Sequence, residues 1–410
     1  MTGNLELGRL KIAWARSHMP VLAGIERRFA TEHPLEGKRV SAVLHVEAKT
    51  CVLALTLKAG GAEVRMAAGN PLSTDDDVVA AVVEAGVPTW ARKGESIEEY
   101  HAGIRALLDF HPEIIIDDGA DLVALAHTTW KDRGPVLGST EETTTGVTRL
   151  RAMERSGALR WPAIVVNDAA MKHLFDNRYG SGQSFLDGLF AATNLLVAGR
   201  TCVVAGYGWV GKGIASMLRG IGAEVIVTEV DPFRAIEARL EGYRVRPLRE
   251  AAPEADLIVT TTGNRGIVRK EHLEVVKDGC LLANMGHFDV EISKPDLVAL
   301  ATHRAIVRPN VEEYRFADGR RVYLLGDGRL LNLATGQGHP VEIMDLSFAL
   351  QALSVEYLAH RGSELEARVH PVPAELDLAV AEAALGPLEV GLDHLTPDQE
   401  RYSQSWKEGT

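Results

Sequence analysis

The chain has 410 residues, 46% hydrophobic and 24% charged, with a formal net charge of −12. That length is too great for one ordinary core and predicts two domains, with room for a small third piece. The acidic balance argues against nucleic acid as a partner, because a phosphate-binding surface needs clustered Lys and Arg. No apolar run approaches the roughly 20 residues of a membrane helix. Arg9, Lys11 and Arg16 interrupt the apolar N-terminus, so no secretion signal is expected and the sequence reads as cytoplasmic.

In chain order, Leu5 to Ile25 carries helical apolar spacing. Arg39–Leu44 reads as a strand, 51–58 as a helix and 62–66 as a second strand. Asp76–Glu84 reads as a helix opened by the cap-like Ser73-Thr74-Asp75, and 113–116 as a third strand ending on Asp117-Asp118-Gly119. A second unit begins with a strand at 201–205, a glycine turn at 206–211 and a helix at 212–219. Strands follow at 224–228, 257–261, 281–283 and 305–307, then a helical stretch from about Ser347 and, from Pro371, turns with a short helix. Alternating strands and helices predict an α/β protein with two doubly wound, Rossmann-like domains on parallel sheets, plus a small C-terminal appendage. Cys51, Cys202 and Cys280 form no CxxC pair, so they read as small buried hydrophobes and no metal site is expected.

The turn Gly206-Tyr207-Gly208-Trp209-Val210-Gly211 follows a β-branched strand and opens a helix, the context that gives GxGxxG its meaning. Gly206 permits the tight turn, Gly208 lets the backbone approach a pyrophosphate, and Gly211 allows close helix packing. Glu229 closes the next strand about 20 residues on, where a carboxylate accepts both ribose hydroxyls and repels a 2′-phosphate. NAD is therefore the expected cofactor. Trp209 either packs beside it or fills a surface gap.

Polar clusters stand where strands should end: His45, Asn70 with Ser73, Asp117-Asp118, Glu141 to Gly146, Asn167-Asp168, Lys172 with Asp176-Asn177, His287, Asn332 and His339. Singly each has a bland reading as a turn or ion pair. The runs Ser139 to Gly146, Phe175-Asp176-Asn177, Thr260 to Gly263, Gly286 to Glu291, Leu331-Asn332-Leu333 and Gly338-His339-Pro340 also occur here, in a single order. That order resembles the S-adenosylhomocysteine hydrolase family, from about residue 5 to residue 400. The resemblance implies reversible hydrolysis of S-adenosyl-L-homocysteine to homocysteine and adenosine. Bound NAD transiently oxidises ribose C3′, which acidifies C4′, and elimination and water addition follow.

It also implies roles. Lys172 is the base on the 3′-hydroxyl, which requires a lowered pKa, with Glu142 and Asn177 tuning it and Asp176 holding a ribose hydroxyl. Asp118 is the C4′ base, assisted by His45. Thr143, Thr144, Thr145, Val210, Asn264 and Asn332 line NAD with the three glycines and Glu229. Glu47, Lys49, Thr50, Asn70, His287 and His339 contact substrate. Residues 1–180 and 340–371 are expected to form the substrate domain, 181–339 the NAD domain, and 372–410 an oligomerisation segment of a homotetramer.

Three departures from the family pattern stand out. Ser181 holds a position where many members carry Cys. The end of the chain, 405–410, lacks the family's Lys- and Tyr-containing tail, leaving Tyr402 or Lys407 as possible substitutes. Lys49 stands where many members have a Glu that accepts from adenine's amino group. A lysine only donates, so hypoxanthine, as in S-inosyl-L-homocysteine, is the alternative base unless Lys49 pairs with Glu47 and points away. Two further readings are a 2-hydroxy-acid dehydrogenase, which would not explain Glu141 to Gly146 or the Lys172 helix, and a catalytically silent NAD-binding protein, which the intact polar set opposes.

Overall fold

A computed structural model describes residues 3–130 and 135–407. The N-terminal apolar pattern folds as two helices, Leu5–Ser17 and Pro20–Glu32. Pro20 cannot continue the first helix because it has no amide proton, and it starts the second, where that proton is not needed. Asp345 caps this second helix from far along the chain, accepting from the amides of Val21 and Leu22 at 2.9 and 2.7 Å.

The strands are β1 (Arg39–Leu44), β2 (Glu63–Ala68), β3 (Thr89–Trp90), β4 (Ile114–Asp117), β5 (Gly138–Glu141), β6 (Ala163–Val165), β7 (Thr201–Ala205), β8 (Glu224–Thr228), β9 (Arg244–Val245), β10 (Leu257–Thr260), β11 (Cys280–Asn284), β12 (Ala301–Arg308), β13 (Val311–Phe316), β14 (Arg321–Leu325) and β15 (Val369–Pro371). They form two sheets, ordered β15-β6-β5-β4-β1-β2-β3 and β12-β13-β14-β11-β10-β7-β8-β9. The first is parallel throughout. The second is mixed, which departs from the expectation of parallel sheets: β12, β13 and β14 form an antiparallel meander. Its turns use Asn310 and Gly319, both at positive φ, so the chain reverses without a crossover helix.

Central strands such as β4 and β11 are buried along their whole length, as strands covered on both faces must be. The order reverses beside β1 in the first sheet and beside β7 in the second, and side chains at those carboxyl ends face a crevice. After β14 the helix Val341–Arg361 returns to the first sheet, starting six residues before the sequence expectation, and packs on β4 and β5. The helix Ala374–Leu385 packs on it in turn, and Asp377 accepts from the amides of Ala170 and Met171 at 2.8 and 2.9 Å. The three cysteines are free and buried.

Candidate active site

One cavity of about 970 Å³ runs between the two sheets. Its second-sheet end is the glycine turn. Gly206 has φ +105, and a Cβ on Gly211 would lie 2.1 Å from the Gly206 carbonyl oxygen, so neither position accepts a side chain without displacing backbone. The helix Trp209–Gly220 starts directly on N-cap Gly208, with no side chain capping it, so its first-turn amides and its partial positive charge face the cavity. Glu229 lines the wall beside it, held by the amides of Tyr207, Val230 and Asp231 at 2.7, 2.6 and 3.1 Å. This glycine cradle, bare helix terminus and fixed carboxylate fit a dinucleotide without a 2′-phosphate. Val210, Asn264 and Thr143 to Thr145 line the same cavity. Trp209 also lines it, between His173, with ring centroids 5.2 Å apart, and Lys212, whose Nζ sits 4.7 Å from its ring.

At the first-sheet end two polar stations meet. His45 follows β1, and its Nδ1 lies 2.7 Å from Ser73 Oγ. That hydroxyl donates to the Asn70 carbonyl at 3.0 Å, so it accepts from Nδ1–H and leaves Nε2 as an acceptor. Nε2 faces Asp118 Oδ2 at 3.3 Å. Burial pulls the His45 imidazole down to about 4, against the opposing pull of Asp118. From the second sheet, His287 brings Nδ1 to 3.6 Å from the other Asp118 oxygen. The donor atoms of His45, Asp118 and His287 lie within 4.8 Å of one another.

The other station surrounds Lys172. The chain passes from the short helix Ala170–His173 into a π turn, Asp176–Gly180. Lys172 on the first and Asn177 on the second meet across this junction. Lys172 Nζ donates to Asn177 Oδ1 at 2.8 Å, and lies 3.1 Å from Asp176 and 3.5 Å from Glu142. Burial works against its ammonium, but Asp176 and then Glu142 outweigh it, so its pKa ends above the ordinary lysine value. The expectation of a lowered pKa is thereby corrected: the carboxylates crowding Nζ stabilise its charge. Asp176 is also raised by burial, but Lys172 and His339 more than reverse this and leave it below the carboxylate range. Burial pushes Glu142 up to about 8, with Lys172 pulling the other way.

Behind these stations, neighbouring strand ends place Asp117 opposite Glu141. Burial raises both, Asp117 to about 8. Sequence reasoning gave neither a role, nor did it find Ser73 behind His45, or Ser347 and Gln351, which reach Asp176 and Glu142 at 3.1 and 2.5 Å. Polar residues on a helix buried all round were the available signal.

Some expected ligand contacts stand off the cavity wall. Asn70 is a turn residue whose Oδ1 accepts from the Leu72 amide, and it acts on the site through Ser73. Asn332 is buried and donates to Ser184 Oγ at 3.0 Å, with its Oδ1 unpartnered. Glu47 and Thr50 line the cavity, whereas the Lys49 ammonium is 2.9 Å from Glu47 and donates to the Gln337 carbonyl at 2.8 Å. His339 bridges Asp176 and Ser181 at 3.2 Å each.

Residues 2–137 match the family model described as S-adenosyl-L-homocysteine hydrolase, and residues 177–338 match that family's NAD-binding domain. The chain is 56% identical to an S-inosyl-L-homocysteine hydrolase of Methanopyrus kandleri over 98% of its own length and 96% of the relative's. Adenosylhomocysteinases of Pyrococcus abyssi and Thermococcus kodakarensis are 55% and 54% identical, with the same two coverages. With nearly full-length identity on this scale and a cofactor cradle that matches the family's second domain, the chain belongs to the S-adenosyl-L-homocysteine hydrolase family and is an NAD-dependent hydrolase of a thioether.

Proposed function

We propose that the chain hydrolyses S-adenosyl-L-homocysteine reversibly to homocysteine and adenosine. The observation that carries this is the meeting of the Lys172 and Asp118 stations in the cavity that holds the glycine cradle. NAD, held by Gly206, Gly208, Gly211 and Glu229, supplies the reversible removal of hydride from ribose C3′. The rest falls to this chain. Lys172 first yields a proton to Glu142, giving a neutral amine and a carboxylic acid with no change in the pair's net charge. The amine then takes the proton of the 3′-hydroxyl, while Asp176 and Asn177 hold Nζ in place. A carbonyl at C3′ acidifies C4′, and Asp118 takes that proton and passes it into a hydrogen bond with His45 Nε2. Homocysteine leaves C5′, water adds to the double bond, and the proton transfers reverse. His287 closes over Asp118, and His339 steadies Asp176 at the oxygen that also faces Lys172.

A second reading, the same chemistry with S-inosyl-L-homocysteine preferred, is weakened by the Glu47–Lys49 ion pair, which draws the ammonium off the cavity wall, and rests on one observation. Glu47 and Lys49 together present an acceptor and an ammonium with a donor to spare, beside the cavity wall. That couple matches the N1–H and keto oxygen of hypoxanthine. Thiol release from both thioethers by the NAD-loaded protein, run in parallel, tests the two readings: faster release from the adenosyl compound supports the first and from the inosyl compound the second. No thiol from either removes the function.

The same reading assigns residues 1–180 and 340–371 to substrate, 181–339 to NAD and 372–410 to assembly of a cytoplasmic homotetramer. Leu388, Leu392, Leu395 and Trp406, exposed in the last of these segments, support a subunit contact there. Light scattering on the purified protein measures the assembly, and a monomer would remove it.

A further inference from the structure

The helix Val341–Arg361 carries Ser347, Gln351 and Ser354 on one stripe, at i, i+4 and i+7, and none of the three has measurable exposure. An apolar helix would pack against β5 without the cost of burying these groups. Two of the three reach the Lys172 station from behind. Ser347 Oγ donates to Asp176 Oδ2 at 3.1 Å, and Gln351 Nε2 donates to Glu142 Oε2 at 2.5 Å. Lys172 lies between those two carboxylates, so each acid that flanks the lysine is gripped on its far side by this one helix. The Gln351 carbonyl oxygen is buried and makes no hydrogen bond, and the same holds for Glu142 Oε1. Gln351 therefore has an acceptor in reserve exactly one amide rotation away from the Glu142 oxygen it now donates to.

We propose that Gln351 is a positioning residue for proton transfer at Lys172, acting through Glu142. Its amide nitrogen donates to the carboxylate, and after a half-turn of the amide its oxygen accepts from the carboxylic acid. Glu142 thus keeps a partner in both of the states through which it exchanges a proton with Lys172. The group that Gln351 serves is faced by Lys172 from the short helix after β6, by Asp176 from the π turn and by Asp118 from the end of β4. This rests on the acid–base roles given above to Lys172 and Glu142.

The direction of the effect follows from the donor. The bond donated to the charged carboxylate is roughly twice as strong as the neutral bond accepted from the carboxylic acid, so Gln351 on balance favours the ionised form. Gln351→Met removes that bond at similar volume, so Glu142 holds its proton to higher pH and cannot receive one from Lys172. The acid limb of the kcat–pH profile for thioether hydrolysis should move up by on the order of one pH unit. A residue that only fills space would lower thermal stability or kcat and leave the limb in place. Ser354→Ala, one turn further along the stripe and bonded to neither acid, should keep the wild-type limb. If Gln351→Met does not fold, Gln351→Glu keeps the shape, and a second carboxyl against Glu142 should again raise the limb. A wild-type limb in whichever of the two variants folds overturns the proposal. A wild-type enzyme that releases no homocysteine would instead remove the functional reading on which it rests.

Discussion

Replacing Gly119 with alanine tests the closure of the two sheets over Asp118. Gly119 has φ +105, and a Cβ there would lie 2.3 Å from His287 Nε2, 2.9 Å from its Cδ2 and 3.1 Å from its Cε1. Two separate costs follow. The backbone strain, roughly 1–3 kcal/mol, is present whether or not His287 is docked and shows as lost thermal stability. The clash exists only when His287 is docked, and relieving it to van der Waals contact moves the ring back by about 1 Å. The His287–Asp118 contact, now 3.6 Å, is then lost. A misplacement of this size costs roughly 100-fold in kcat/KM, or about 2.7 kcal/mol. The assay is a double-mutant cycle with His287→Ala. Once the imidazole is absent the clash is gone, so Gly119→Ala should cost less than about 5-fold in that background while the stability loss persists. Equal losses in the two backgrounds would refute the contact as the cause.

Other predictions follow from single contacts. Lys49→Gln removes the ammonium beside Glu47 and should move the ratio of kcat/KM for the inosyl and adenosyl thioethers about tenfold toward the adenosyl compound; an unchanged ratio means Lys49 does not read the base. His45 is neutral in the fold down to about pH 4, whereas in the unfolded chain it takes a proton near 6.5. The unfolded state binds more protons between those values, so stability should fall as pH drops through that window, by up to about 3 kcal/mol. His45→Gln should flatten that slope in pH-dependent denaturation, and an unchanged slope rules His45 out as its source. Glu291 accepts from the Thr262 amide and hydroxyl and the Gly263 amide at 3.0, 2.7 and 2.7 Å, fixing the loop at the cavity's edge. Glu291→Gln turns a donor toward those amides and should speed NAD release at least tenfold, or about 1.4 kcal/mol; release at the wild-type rate would separate this loop from cofactor retention.

The sequence carried the parts of the site whose cause is local. A β-branched strand, three glycines and an acid at the end of the next strand specify a dinucleotide cradle by chain geometry alone, and 201–229 folds in that way. The helix after it starts earlier than its apolar pattern suggests, because Gly208 itself is the cap. Of the meander from 301 to 325 only 305–307 reads as a strand in the sequence, although Asn310 and the Asp318-Gly319 pair are turn signals for the two strands that follow. The electrostatic state of Lys172 was not legible: its charge depends on Glu142 and Asp176, which the fold brings to it from different elements. Gln351 lay hidden for a related reason. The middle of its helix, 344–352, is buried on every side, so no apolar stripe marks one face as special, and only the packing against β5 shows which polar residues reach the acids.

The central claim is hydrolysis by an internal oxidation that returns its electrons. The most direct measurement follows thiol release and reduced nicotinamide together while NAD-loaded protein turns over S-adenosyl-L-homocysteine. Many thiols released per subunit, with reduced nicotinamide never exceeding one per subunit, is the predicted result. Reduced nicotinamide accumulating with each turnover, or no thiol at all, would contradict it.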